Sequence, residues 1–372
     1  MKLTIERATL LRALSHVQSI VERRNTIPIL SNVMLEAQDD ALGLTATDMD
    51  IAIVERIPAD IGTAGATTTP AHTLYDIVRK LPDGAQIALD RDSGTEQLNL
   101  SAGRARFKLG TLDTGEFPAL TDGELPNRFT VSASDFRTLI DRTRFAISTE
   151  ETRHYLNGIY LHAVSGDDGN RLRAVATDGH RLARVEMPLP EGAAGMPGVI
   201  VPRKTVNELR KLIDETGGDI DVALSDTKIR FGFDDAVMTS KLIDGTFPDY
   251  ERVIPVGNDK LMIVDRKEFA GAVDLVATIA TEKSRAIKLT VDGNNLALSA
   301  TSPDAGSAEE ELEADYEGDP INIGFNSRYL LDIMQQIEGD KAQFIMADSN
   351  SPTIVRDAGD DSALYVLMPM RV

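Results

Sequence analysis

Leu44-Thr45-Ala46-Thr47-Asp48 returns as Ala174-Val175-Ala176-Thr177-Asp178 and again as Leu298-Ser299-Ala300-Thr301-Ser302. The copies begin about 125 to 130 residues apart, the size of a small domain, so internal repetition decides the fold before any single motif does. A helical pattern precedes each copy: Leu10, Leu11, Leu14, Val17 and Val21 within Arg7 to Val21; Phe136, Leu139, Ile140 and Phe145 within Ser134 to Ile147; Phe269, Val273 and Val276 within Lys267 to Ile279. A second helix follows each, at Pro70 to Val78, Pro202 to Leu209 and Asn326 to Ile333, with Pro or Asn near the start as helix N-termini prefer. The first two copies close on Glu116-Phe117-Pro118-Ala119-Leu120 and Thr246-Phe247-Pro248-Asp249-Tyr250. This order predicts an α+β fold of three repeats, each with two helices and many short strands. Joints near 121–128 and 254–260 place the domains at 1–125, 126–254 and 255–372.

A chain of 372 residues exceeds one compact core, in keeping with three domains. Hydrophobic and charged shares of 42% and 26% are those of a folded globular protein. The sequence has no apolar run of membrane-spanning length and no signal-peptide core in its opening stretch, so a cytoplasmic protein is expected. Lack of cysteine excludes disulfides and thiolate chemistry. A net charge of -20 argues against tight nucleic-acid binding, because affinity for phosphates comes from Lys and Arg. The charge is uneven, however. Asp304, Glu309, Glu310, Glu311, Glu313, Asp315, Glu317 and Asp319 run without a basic residue, whereas Arg7, Arg12, Arg23 and Arg24 gather on the first helical stretch and Arg203, Lys204, Arg210 and Lys211 on another. Taken singly, each cluster reads as a solvated face.

Chemistry-bearing motifs are missing. No Gly-Lys dipeptide exists to build a phosphate loop, no His-Glu pair opens a zincin helix, and His16, His72, His154, His162 and His180 lack ligand spacing. No catalytic centre, metal or cofactor is expected. The alternative, a three-domain hydrolase, would use Asp178 and His180, but residues adjacent on one turn seldom face one another productively. A glycine turn with a surface histidine is the favoured reading of Asp178-Gly179-His180-Arg181.

The terminal repeats differ from the middle one. Strict alternation in Arg104-Ala105-Arg106-Phe107-Lys108-Leu109 puts Arg104, Arg106 and Lys108 on one strand face and Ala105, Phe107 and Leu109 on the other. A shift of about 130 residues brings Asp234, Ala236 and Met238 to the basic positions, so the basic face belongs to the first repeat alone. The acidic cluster Glu309, Glu310, Glu311 and Glu313 belongs likewise to the third. Opposite charges on the two terminal repeats predict closure of two subunits, first repeat to third, with Phe107, Leu109 and, opposite them, Ile279 supplying the burial.

Ala176-Thr177-Asp178-Gly179-His180-Arg181-Leu182, Ser240-Lys241-Leu242-Ile243-Asp244-Gly245-Thr246-Phe247-Pro248-Asp249-Tyr250 and Tyr365-Val366-Leu367-Met368-Pro369-Met370-Arg371-Val372 together resemble the DNA polymerase III beta subunit, the bacterial sliding-clamp family. The resemblance covers essentially the whole chain, including Pro28-Ile29-Leu30, Tyr155-Leu156-Asn157-Gly158 and Phe325-Asn326. It implies a non-enzymatic processivity factor: a head-to-tail homodimeric ring of three-domain subunits, helices lining the hole and antiparallel sheets outside, encircling duplex DNA. Such a ring stays on DNA by topology and needs only weak phosphate attraction, which reconciles it with the acidic charge. The implied DNA contacts are Arg24, Tyr155, Arg203 and Lys204, while His72 and His154 depart from the family's usual Arg and aromatic. The implied peptide pocket comprises Leu156, Thr177, Gly179, His180, Arg181, Leu182, Pro248, Val253, Asn326, Tyr329, Val366, Met368, Pro369, Met370 and Arg371. Its implied partners are the polymerase III alpha subunit, the clamp loader, other DNA polymerases, mismatch repair proteins and ligase. Alternation along the terminal strand leaves Tyr365 and Leu367 to the core.

Overall fold

The computed structural model describes every residue except 92–93, 119–122, 167–168 and 281–284, so Ala119 and Leu120 of the first Phe-Pro motif, with residues 121–122 of the first joint, lie outside the described residues. Three short strands, Lys2–Glu6, Asn127–Ser132 and Lys260–Asp265, each run directly into a helix: α1 (Arg7–Ile20), and, further along, α3 (Ala133–Arg144) and α5 (Arg266–Ala277). The second helix of each repeat is α2 (Ala71–Lys80), α4 (Arg203–Asp214) or α6 (Ser327–Met334). The apolar spacing read from the sequence is the buried stripe: Leu10, Leu14 and Val17 of α1 are fully enclosed, as are Phe269 and Val273 of α5. Capping sets the starts. Glu6 accepts the Thr9 N–H, Asp265 those of Lys267 and Glu268, and Asn326 that of Arg328. Because α1 stops at Ile20, Arg23 and Arg24 lie in the loop beyond it and not on the helix as expected. Arg7 also has an internal task, donating to the carbonyls of Val78 and Arg79 at the end of α2.

The chain forms two compact units. The first holds Met1–Phe136, Pro190–Pro197 and Lys204–Leu242. It contains a five-stranded sheet ordered Asp60–Thr63, Lys2–Glu6, Gln86–Asp90, Gln97–Ala102, Ala105–Gly110. Its eight-stranded sheet is ordered Asn127–Ser132, Asp219–Leu224, Lys228–Gly232, Ala236–Lys241, Ile51–Pro58, Ala41–Thr47, Asn32–Gln38, Gly65–Pro70. The second unit holds Arg137–Leu189, Gly198–Arg203 and Ile243–Val372. Its nine-stranded sheet is ordered Val199–Pro202, Gly158–Gly166, Gly169–Thr177, Arg181–Pro188, Asp360–Leu367, Thr353–Asp357, Lys341–Met346, Lys260–Asp265, Asp315–Glu317. Its four-stranded sheet is ordered Gly306–Glu313, Asn295–Ser302, Ala286–Asp292, Ile321–Asn326.

The long sheets explain why the units do not coincide with the three sequence repeats. Ala236–Lys241 of the second repeat pairs antiparallel with Ile51–Pro58 of the first, and Asp360–Leu367 of the third pairs antiparallel with Arg181–Pro188 of the second. Each junction is therefore a strand pairing that carries one sheet across a repeat boundary. The Thr-containing segments, read from sequence as turn-like, are the ends of strands Ala41–Thr47, Gly169–Thr177 and Asn295–Ser302, with the turn beginning after them.

Within the first unit α1 carries a buried polar clamp. His16, 8% exposed, sets Nδ1 2.8 Å from Oε2 of Glu55, itself 1% exposed, while Oε1 of Glu215 lies 3.1 Å from Nε2. Arg12, Asp234 and Asp235 line the same small cavity. Burial opposes charge on the imidazole, but Glu55 and Glu215 outweigh it and raise its pKa above 6.5. The stabilisation is fully present below the unfolded value and fades as pH rises through the raised folded one. His16→Ala, which strands Glu55 in the interior, is expected to cost about 3 kcal/mol in urea unfolding, with the gap to wild type narrowing as pH rises. A pH-independent gap would contradict this assignment.

Candidate functional site

In the second unit, strands Gly169–Thr177 and Arg181–Pro188 are joined by a tightly bonded turn. Oδ1 of Asp178 accepts the N–H groups of His180 (2.9 Å) and Arg181 (3.0 Å). The Thr177 hydroxyl donates to the Arg181 carbonyl (2.7 Å) and accepts the N–H of Gly179 (3.1 Å). Gly179 has φ +89°, in the left-handed region, and a Cβ there would also press on the Arg153 guanidinium. Arg181 is 8% exposed and ties the turn to its surroundings: Nε bonds Asp178, Nη1 bonds Asp332 at 2.5 Å, and Nη2 donates to the Phe145 carbonyl at 2.6 Å. Its guanidinium also lies over the Tyr329 ring at 4.3 Å. Asp178 is thus committed to backbone and Arg181, and exposed His180 faces Tyr329 at 6.4 Å, so Asp178 and His180 do not form an imidazole–carboxylate pair for acid–base work.

Beside the turn lies an apolar surface, named here the Leu182 groove. Its floor is the buried cluster of Leu156, Val175, Leu182, Ile200, Phe247, Tyr250 and Val366. Pro248 is exposed at its edge, as are Val253 (43%) and Met368 (37%), two apolar side chains whose exposure no interior packing repays. The C-terminal segment forms a further wall: the Met368 N–H donates to the His180 carbonyl (2.9 Å) and the Met370 N–H to the Gly324 carbonyl (2.8 Å). Gly324 lets the chain end lie close, since a Cβ there would collide with Met370 and Val372. Asn326 caps α6, Tyr329 is half-buried with its hydroxyl pKa pushed up by burial, Pro369 and Met370 are half-buried, and Arg371 is exposed. Val366 faces the groove cluster, whereas Tyr365 turns to the Phe145 ring, as alternation requires. Sequence reasoning missed the aromatic support of Tyr160, stacked 4.9 Å from Phe247 and 4.5 Å from His162. Burial, reinforced by Arg173, pulls His162 down to about 4, so it packs as a neutral ring and accepts from or donates to Tyr250 at 3.0 Å. Alternation along Gly158–Gly166, which puts Tyr160 and His162 on one face, was the available signal.

The residues expected at DNA differ in availability. Arg24 is exposed beyond α1, and Arg203 is exposed at the first position of α4. Lys204 is not a ready phosphate donor. Its ammonium gives its three protons to Ile20 O (3.2 Å), Glu22 Oε1 (2.5 Å) and Asp48 Oδ2 (2.6 Å), and although burial opposes the charge, those carboxylates raise its pKa. Tyr155 is half-buried against the groove cluster, edge-on to His154. His72 and His154 donate to the carbonyls of Val21 and Asp244.

The terminal strands are corrected in detail. Ala105–Gly110 begins after Arg104, which sits in the preceding turn rather than on the strand face. Arg106 and Lys108 are exposed and Phe107 is half-buried, but Leu109, 7% exposed, already belongs to its own core. The pairs Leu100↔Phe107 and Leu98↔Leu109 match Phe231↔Met238 and Ile229↔Ser240, an offset one residue longer than that read from sequence. Asp235, Val237 and Thr239 therefore correspond to the three basic positions, and the basic face remains peculiar to the first repeat. On Gly306–Glu313, Glu309, Glu311 and Glu313 are exposed while Glu310 points to the opposite, half-buried face, so the acidic row has three members and not four. Ile279 is half-buried just past α5, and Leu275 of that helix, unremarked in the sequence, is 57% exposed.

Family models of the DNA polymerase III beta subunit match throughout: the N-terminal domain over residues 1–121, the central domain over 130–249 and the C-terminal domain over 251–371. The chain is 55% identical to the beta sliding clamp of Caulobacter vibrioides over 372 residues, all of both chains. It superposes on a crystal structure of the Caulobacter crescentus beta sliding clamp with a TM-score of 0.98 at 55% identity, covering 100% of this chain and 99% of that one. A sliding clamp from Pseudomonas aeruginosa bound to griselimycin gives a TM-score of 0.95 at 41% identity, with both chains fully covered. With a polar turn bonded to itself in place of a catalytic pair, and an apolar groove beside it, the chain belongs to the DNA polymerase III beta subunit family, the non-catalytic sliding clamps of DNA replication.

Proposed function

We propose that two copies of this chain close head to tail into a ring around duplex DNA, and that the Leu182 groove tethers proteins to it through short peptides. One observation carries the closure. Each internal junction joins a second-half strand of one repeat to a first-half strand of the preceding repeat, and the same two positions are left over at the chain's ends. Ala105–Gly110 and Gly306–Glu313 each have a strand partner on one side only among the described residues. An unpaired edge is a template for another strand, and a heterologous contact between these edges repeats outside the chain the pairing already made twice within it. Arg106 and Lys108 would face Glu309, Glu311 and Glu313 and set register, while Phe107, Ile279 and Leu275 supply burial. The domains are then three clamp repeats with boundaries near 125 and 254, which the spans of the family models support.

DNA would be held by topology and diffuse attraction. Arg24 and Arg203 are the direct contacts we favour, with Tyr155 as an apolar rim residue; Lys204 contributes its field while its protons stay with Glu22 and Asp48. In the groove, exposed Met368, Val253 and Pro248 over the Leu156, Leu182 and Val366 floor, with Thr177, Gly179, His180, Asn326, Tyr329, Pro369, Met370 and Arg371 around it, suit an apolar-anchored peptide. Its owners would be the polymerase alpha subunit, the clamp loader, other polymerases, mismatch repair proteins and ligase, in the cytoplasm.

Two measurements check this. Sedimentation of Phe107→Ala combined with Ile279→Ala at micromolar concentration should show folded monomer where wild type is a dimer; Leu109 is left alone because its loss would damage the sheet. An unperturbed dimer would place closure elsewhere. Deleting Met368–Val372 should weaken a polymerase C-terminal peptide by about 30-fold or more while leaving the dimer unchanged. Unchanged peptide affinity would remove the groove from consideration.

A further inference from the structure

The turn beside the groove has a duplicate in the first unit. Thr47 Oγ1 donates to the Ile51 carbonyl (2.8 Å) and accepts the Met49 N–H (3.0 Å), while Asp48 Oδ1 accepts the N–H groups of Asp50 (2.9 Å) and Ile51 (2.8 Å). These are the bonds of Thr177 and Asp178, one for one. The strand beyond it is also duplicated: Ala52↔Thr239 and Ile51↔Ser240 stand where Leu182↔Val366 and Arg181↔Leu367 stand in the second unit. Pro118 occupies the position of Pro248 in the matching Phe-Pro motif. Between these elements lies a cavity of ≈ 190 Å³ whose lining includes Met49, Ile51, Pro118, Lys228, Thr239 and Lys241.

A second feature marks the same place. Met49 holds φ +81° where Gly179 holds +89°. A residue with a Cβ is strained in that conformation, and the Met49 side chain, 50% exposed, offsets it with only partial burial. Retained strain with a flexible thioether at a cavity mouth points to a ligand contact. The floor differs from the groove: Ala52 replaces Leu182 and Thr239 replaces Val366, leaving a less bulky and more polar floor. The rim carries Lys228 and Lys241, the latter in an exposed pair with Asp50.

We propose that this cavity is a second peptide site, taking a short acidic segment with one apolar anchor that seats against Met49, Ile51 and Pro118 while its carboxylates meet Lys228 and Lys241. The inference rests on reading the Leu182 groove as a peptide site, of which this is the duplicated and chemically altered copy. Charge complementarity selects the occupant.

The test uses a fluorescein-labelled acidic hexapeptide containing one Leu as its apolar anchor, titrated into the full-length chain and into the chain lacking Met368–Val372. The truncated chain should still bind, with affinity lowered about tenfold by Lys241→Glu and falling with salt. Met49→Gly, which relieves the strained backbone and removes the side chain against which the anchor seats, should raise Tm while weakening the peptide similarly, in the intact chain as well as the truncated one. Binding that vanishes on truncation overturns this proposal and leaves the Leu182 groove standing. Binding indifferent to Met49→Gly and Lys241→Glu overturns it also, whatever the groove does.

Discussion

A sheet edge exposes N–H and C=O groups that must be paired, covered or left to water, and this chain meets that requirement by making each repeat complete the sheet of the one before it. Ala236–Lys241 closes against Ile51–Pro58 and Asp360–Leu367 against Arg181–Pro188, so the middle repeat is shared between two contact-dense units instead of forming one of its own. The same logic leaves two edges at the ends, Ala105–Gly110 and Gly306–Glu313, with charges of opposite sign. Pairing at a junction also creates the sites. Where one strand crosses to the next repeat, the turn after the Thr-Asp pair and the Phe-Pro motif converge, producing the Leu182 groove in one unit and the Met49 cavity in the other.

Several basic residues are used inside the fold. Arg7 closes the end of α2, Arg181 bonds Asp178, Asp332 and Phe145, Arg142 bonds Asp360 and lies 3.0 Å from Glu338, and Lys204 serves Glu22 and Asp48. These four side chains are therefore not free to act as strong phosphate contacts, which suits a protein held on DNA by closure: strong point contacts would raise affinity and slow sliding. The net charge of -20 is then compatible with a DNA-bound role.

Repetition made the architecture legible. The helix stripes around Leu14, Phe136 and Phe269 and the paired Phe-Pro motifs survive as buried or junction positions, because those packing needs recur in every copy. Boundaries were less legible: α1 ends before Arg23, since the apolar spacing extends to Val21 while the hydrogen-bonded helix does not. Strand register failed by one residue at Ala236–Lys241, because the offset between the repeats is not constant along the chain: Thr47 and Thr177 are 130 residues apart but Leu100 and Phe231 are 131, and alternation alone cannot count residues added in the loops between strands. Roles depending on three-dimensional partners were beyond reach. Nothing local to Lys204 marks Glu22 and Asp48 as its acceptors, whereas alternation along Gly306–Glu313, had it been applied there as it was to Arg104–Leu109, separates Glu310 from Glu309, Glu311 and Glu313.

Closure around DNA is the central claim, and topology gives it a direct measurement. The protein, loaded by a clamp loader with ATP onto nicked circular plasmid, should co-elute with the DNA in gel filtration at high salt and be released when a restriction enzyme linearises the plasmid. Retention on the linear product, or salt-sensitive binding that is equal on circular and linear DNA, would contradict the account.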